Sequence, residues 1–168
     1  QELAEKMRLL RNYGSAKKYY HEIEGVNSRL DDLQAALLSV KLKHMNDLED
    51  DRRRVAEKYL EEITNPLIEL PKIKEGFKHV WHLFVVKCSE RDELQRYLSD
   101  NGIGTQIHYP VPPHLSGAYR RSGHKKGDFQ ITEDYADSIL SLPLYNGMKD
   151  EEVDYVIEKI NMFKGVSV

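Results

Sequence analysis

Leu3, Met7 and Leu10 recur at near-helical spacing until Gly14 and Ser15 interrupt them, which predicts a short helix running out into "RNYGS". From Leu30 the apolar positions Leu33, Leu37, Val40, Leu48, Val55, Tyr59 and Ile63 keep to one face, and no Gly or Pro intervenes before Pro66. That pattern predicts one long helix over about 31–63. Its other face carries Lys41, Lys43, Asp47, Glu49, Asp50 and Arg52 to Arg54, most simply a solvated surface.

Further along, "HVWHLFVVKC" is β-branched and aromatic between Gly76 and polar "SERDE", as a buried strand would be. "RDELQRYLSDNG" has the spacing of a helix that closes on Gly102 as its C′ residue. "IGTQIHYP" reads as a strand entering a loop, "TEDYADSIL" as an N-capped helix, "SLPLY" as an extended stretch and "KDEEVDYVIEKINMF" as a closing amphipathic helix. Between them, "HYPVPPHLSGAYRRSGHKKGDF" is longer than an ordinary connection, and unstructured loops beyond about 12 to 15 residues are functional or disordered. Its His, Tyr and Pro content, in place of Ser and Glu, favours function. The expected fold class is α/β (α+β): a small, mostly antiparallel sheet covered by helices, with the long helix as a spine.

Composition narrows the classes of function. The 168 residues suffice for about one domain, and a net charge of -3 with interspersed signs offers no basic stripe for nucleic acid. Cys88 is the single cysteine, so no internal disulfide framework is possible, and no apolar run approaches the roughly 20 residues of a membrane span. A cytoplasmic protein with neither nucleic-acid nor membrane partners fits these features. The chain opens on "QELAEKMRLLRNYG", a helix already under way without a preceding methionine or signal-peptide core, so a piece of something larger is expected.

The candidate chemistry is sparse. His79 with His82 and His108 with His114 are the closest histidine groupings, but strand residues three apart face opposite ways, and the second pair has no completing cysteine or carboxylate nearby. No metal site is expected. No Walker loop, dinucleotide fingerprint or Gly-x-Ser-x-Gly elbow is present. Two features remain. A helix start needs one cap, and Asn27 or Ser28 of "GVNSRLDDLQAALL" would serve alone, so the rest of Asn27-Ser28-Arg29 is surplus. Polar aromatics also cluster: Tyr13, Tyr19, Tyr20 and His21 before that corner, and His108, Tyr109, His114 and Tyr119 in the long loop. Such side chains suit sugar rings, nucleobases and carbonyl groups, and they are equally common as ordinary surface and core aromatics.

The blocks "LRNYGS", "GVNSRLDDLQAALLSVKL", "HVWHLFVV", "RDELQRYLSDNGIGTQIHYPVPPH" and "LSLPLY", in this order, resemble the C-terminal part of the DegT-type sugar aminotransferases. These are fold-type-I enzymes dependent on pyridoxal 5'-phosphate (PLP). The resemblance implies a parent homodimer that transfers an amino group, from glutamate, to a keto group of a nucleotide-linked deoxy sugar, as in deoxyamino sugar and cell-surface polysaccharide biosynthesis. "RNYGS" and "IHYPVPPH" look more like members that act on 3-keto-6-deoxy sugars than on 4-keto sugars. Residues 1–30 would then be a remnant of the large PLP-binding domain, and 31–168 the C-terminal small domain. The resemblance places Asn27 against the cofactor phosphate of the partner subunit, and Tyr20, Arg29, His82, His108, Tyr109 and His114 against substrate. The family's Schiff-base lysine precedes the matched region, and Lys17, Lys18, Lys41 and Lys43 do not stand in its context, so no catalytic residue is assigned and the fragment is expected to be inactive alone. A non-enzymatic module of the same fold, or a domain of another fold-type-I enzyme, stays open as an alternative.

Overall fold

A computed structural model describes residues 1–165. The chain forms two compact units, Gln1–Met45 and Asn46–Val168.

The first unit contains helix α1 (Glu2–Leu10), a tight corner and helix α2 (Asp32–Leu42). Gly14 makes the corner possible: its φ is +70°, and a Cβ there would lie 1.6 Å from the Ile23 carbonyl oxygen. The returning strand-like segment is laced to the end of α1 by backbone bonds, Val26 N to Leu10 O at 2.8 Å, Tyr13 N to Val26 O at 3.0 Å and Ser28 N to Arg11 O at 2.9 Å. These bonds set Asn12 opposite Asn27 as an antiparallel bridge. Neither α1 nor α2 buries a residue, and Leu33, Leu37 and Val40 all remain exposed.

The single long helix expected over 31–63 is two helices, α2 and α3 (Met45–Glu62). Lys43 N bonds to Val40 O at 3.2 Å and His44 N to Lys41 O at 3.0 Å, so the backbone tightens into i→i+3 bonds where α2 ends. Only α3 turns apolar residues into a core, through Val55, Ala56 and Tyr59. The continuous 3.6-residue period concealed a break that lies where the two compact units meet in sequence.

In the second unit, α3 is followed by β1 (Phe84–Lys87), α4 (Arg91–Asp100), two short 3-10 turns (Pro113–Leu115 and Gly117–Ser122), α5 (Gln130–Ser138), β2 (Ile139–Leu142) and α6 (Asp150–Met162). Strands β1 and β2 pair antiparallel with Phe84 opposite Leu142 and Lys87 opposite Ile139. Single bridges widen this sheet on both edges, Glu69 to Lys87 and Gln106 to Ser141. The core draws on α3, both strands, α4 and α6, with Tyr59, Phe84, Leu94, Leu98, Leu140 and Ile160 fully buried. The expected antiparallel sheet under helices is therefore present, without the single spine helix.

Three further expectations shift. The strand expected across "HVWHLFVVKC" is confined to Phe84–Lys87, because Trp81 adopts a φ of +48° and gives its N–H to His79 Nδ1 at 2.9 Å instead of to a strand ladder. Helix α5 begins at Gln130, not at a Thr132 cap; Phe129 is its N-cap residue and no N-cap side chain bonds there. "IGTQIHYP" contributes one bridge, not a full strand. The α4 terminus follows expectation: Gly102, at φ +74°, and Ile103 close a Schellman motif through Gly102 N to Ser99 O at 2.9 Å and Ile103 N to Leu98 O at 2.8 Å.

Candidate functional site

Each unit presents a candidate site. In the first, α2 is capped by Asp31, whose carboxylate accepts from Leu33 N at 2.9 Å and Gln34 N at 3.3 Å. The cap expected of Asn27 or Ser28 is thus supplied three or four residues later, and Asn27 is left for other work. Its Oδ1 accepts from Arg29 Nε at 3.1 Å, while Arg29 Nη1 donates to Asn12 Oδ1 at 3.4 Å. Oδ1 is thereby engaged, and no hydrogen bond from the Asn27 NH2 is seen among the described residues. The Arg29 guanidinium lies 5.9 Å from the Tyr13 ring centre, and His21 Nδ1 lies 2.8 Å from Tyr13 O. Lys17 and Lys18 rest over the rings of Tyr20 and Tyr19 at 4.8 and 5.0 Å. Tyr20, Asn27 and Arg29 are all exposed.

In the second unit, the bridge of Gln106 to Ser141 fixes where the chain leaves the sheet, and His108 follows with its Nδ1 2.9 Å from Ser141 Oγ. His108 and Tyr109 then line an open cleft of about 530 Å³, with Tyr119 from the second 3-10 turn and Ile131, Tyr135 and Ile139 from α5 and the start of β2. Tyr109 and Tyr119 expose most of their surface, 74% and 59%. A rigid apolar wall fringed by phenol and imidazole groups can stack a ring and hydrogen-bond its hydroxyl or carbonyl oxygens.

His114 does not join that lining. Its side chain is 8% exposed, and Nε2 donates to Glu133 Oε1 at 2.9 Å, an internal bond. The Glu133 carboxylate also accepts from Gly127 N at 2.8 and 2.9 Å, and its pKa is lowered, first by the His114 bond. His82 is exposed and stands apart from this cleft; its carbonyl accepts from Arg52 Nη1 at 3.5 Å. The structure thus brings His108 and Tyr109 together with Tyr119, and keeps Tyr20, Asn27 and Arg29 in the first unit. Sequence reasoning missed Asp31, Asn12, Ser141 and Glu133. Asp31 and Glu133 carried a local signal, an acid beside or within a helix's first turn. Ser141 carried none, since its bond to His108 spans 33 positions.

Helices over a small antiparallel sheet are a fold this chain shares with solved aminotransferases. The chain belongs to the DegT/DnrJ/EryC1/StrS aminotransferase family, whose pattern it matches over residues 1–161. It is 49% identical over 162 residues to a dTDP-3-amino-3,6-dideoxy-alpha-D-galactopyranose transaminase of Aneurinibacillus thermoaerophilus, which covers 96% of this chain and 44% of that protein. The crystal structure of S. venezuelae DesV in complex with a ketimine intermediate superposes with a TM-score of 0.91 at 42% identity, over 95% of this chain and 43% of that one. NtdA of Bacillus subtilis with bound cofactor PMP superposes with a TM-score of 0.85 at 30% identity, over 95% of this chain and 39% of NtdA. The chain therefore spans less than half the length of the relatives it matches.

Proposed function

We propose that this chain is the C-terminal part of a PLP-dependent aminotransferase that moves an amino group from glutamate to the keto group of a nucleotide-linked deoxy sugar. The observation that supports this most is the family match along residues 1–161. The similar A. thermoaerophilus transaminase forms a 3-amino-3,6-dideoxy sugar by its name, which favours a 3-keto-6-deoxy substrate here. In this reading residues 1–30 belong with the large cofactor domain, 31–168 form the small domain, and the parent is a cytoplasmic homodimer serving cell-surface polysaccharide or a similar deoxyamino sugar product. The exposed apolar residues of α2 are then covered in the parent.

The residues fit the cofactor in part. An exposed amide whose NH2 makes no hydrogen bond among the described residues suits a phosphate oxygen, so Asn27 would hold the phosphate group, reaching it in the partner subunit. Bound PLP supplies the carbonyl that carries nitrogen between donor and acceptor. Lys17 and Lys18 do not suit bonding to that carbonyl: both are exposed over tyrosine rings, where nothing desolvates an amine into a nucleophile. The cleft residues His108 and Tyr109 would orient the sugar by hydrogen bonds to its oxygens, and Tyr20, Arg29 and His82, none of which lines this cleft, would add further substrate contacts.

Kinetics of the full-length parent test this. Tyr109→Phe or His108→Ala should lower kcat/KM for the keto sugar about 2- to 12-fold, the worth of a hydrogen bond of about 0.5 to 1.5 kcal/mol, with less effect on stability. Unchanged kinetics in both variants would remove the cleft from the sugar site.

A further inference from the structure

The internal bond of His114 is placed to do more than fill space. Glu133 sits in the first turn of α5, where no N-cap side chain bonds. Its carboxylate accepts from Gly127 N and Phe129 N at 2.8 and 3.4 Å on one side of the loop, and from His114 Nε2 at 2.9 Å on the other. One carboxylate thus gathers both ends of residues 115–128. The Phe129 ring, 4.8 Å from the His114 ring and 4.9 Å from that of His124, covers the junction, and the two bonded side chains are only 8% and 11% exposed. A charge-assisted hydrogen bond kept from water is stronger and stiffer than one on the surface.

The gathered segment is one wall of the cleft. Tyr119 and Ser116 come from it, while Ile131 and Tyr135 come from α5, the element that carries Glu133. The separation of these walls is therefore set where His114 meets Glu133. We infer that the His114–Glu133 bond is a positioning strap that fixes the Tyr119 wall of the cleft and so determines how well a sugar fits, with neither residue touching the sugar. The inference rests on the reading of this cleft as the sugar site. It gives His114 a role different from direct substrate contact.

The test uses the full-length parent with His114→Phe, which keeps an aromatic ring against Phe129 and removes only the bond. Amide exchange across residues 115–128 should speed up about tenfold, and KM for the keto sugar should rise by a similar factor while kcat stays close to the parent's. Glu133→Gln keeps an acceptor for Gly127 and Phe129, and its amide can donate to the other imidazole tautomer, so both values should return to within about threefold of the parent. Exchange as slow as the parent's in His114→Phe overturns the strap, whatever the activity. Faster exchange with an unchanged KM overturns its role in positioning. A parent that aminates no sugar defeats the functional reading instead, and the exchange measurement still decides the strap. If His114→Phe does not fold, Glu133→Gln and Glu133→Ala carry the same measurements: exchange must rank Ala above Gln above parent, and any other order rejects the inference.

Discussion

Asp31 and Asn27 stand four positions apart and divide between them what one residue could have done. Asp31 accepts two backbone N–H groups at the start of α2, whereas the Asn27 side chain accepts from Arg29. Asp31→Ala should therefore cost about 1 kcal/mol in denaturant unfolding, and Asn27→Ala almost nothing. In the full-length parent the order reverses for the cofactor: Asn27→Ala and Asn27→Ser should both weaken PLP retention, since serine is too short to reach a phosphate, and Asp31→Ala should not. Parent-like PLP affinity in Asn27→Ser would remove the phosphate contact. Acid stability offers a second test at this scale. Glu133 and Asp51 both have lowered folded-state pKa values, Glu133 first through His114 and Asp51 first through the Gly147 N–H, 2.6 Å from its Oδ2. A carboxylate whose folded pKa lies below its unfolded one stabilises above the unfolded value, about 4.3 for Glu and 3.9 for Asp, and loses that contribution as pH falls through the folded value. Stability should fall as pH drops below about 4.5, and Glu133→Gln should flatten that fall; an identical slope in the variant would show that Glu133 is not linked to folding.

At the scale of elements, the parts most legible in the sequence are those whose signals are local. Helix α4 shows its apolar period and its Gly102 terminus, and both are present. Because no atom lies within 4 Å of a Cβ at Gly102, Gly102→Ala isolates the strain of a left-handed residue and should cost about 1 to 2 kcal/mol in thermal or chemical unfolding. A cost near zero would mean that the α4 terminus rearranges. Elements set by distant partners were less legible. Strand β1 is cut short where Trp81 turns to stack 5.3 Å from Phe84 and 4.1 Å from His79, contacts that no alternation of residue types announces. The division of the expected long helix at Lys43–His44 follows from which half finds a core, and the period is the same on both sides. Phe84, fully buried between the rings of Tyr59 and Trp81, is the strand residue on which packing depends most visibly. Phe84→Ala should cost about 3 to 5 kcal/mol, measured by the same unfolding experiment.

For the molecule as a whole, the contrast is between a second unit with a continuous core and a first unit whose two helices bury nothing. A helix with Leu33, Leu37, Val40 and Leu42 all exposed is stable chiefly when something covers it, and the matched relatives are more than twice as long as this chain. The cleft could be anticipated from the density of His and Tyr in "IHYPVPPHLSGAY", but its walls could not, since they depend on His114 finding Glu133 and His108 finding Ser141. Under the proposed function, the chain brings an amide that donates to the cofactor phosphate and a sugar cleft to a reaction whose lysine lies elsewhere. The most direct measurement supplies the full-length parent with PLP, glutamate carrying an isotopically labelled amino group, and a dTDP-linked 3-keto-6-deoxy sugar, and follows the label by mass spectrometry. The account predicts labelled nitrogen on the sugar in an amount that depends on the keto group and on PLP. A parent that binds PLP yet leaves the label in glutamate with every nucleotide-linked keto sugar offered would contradict it.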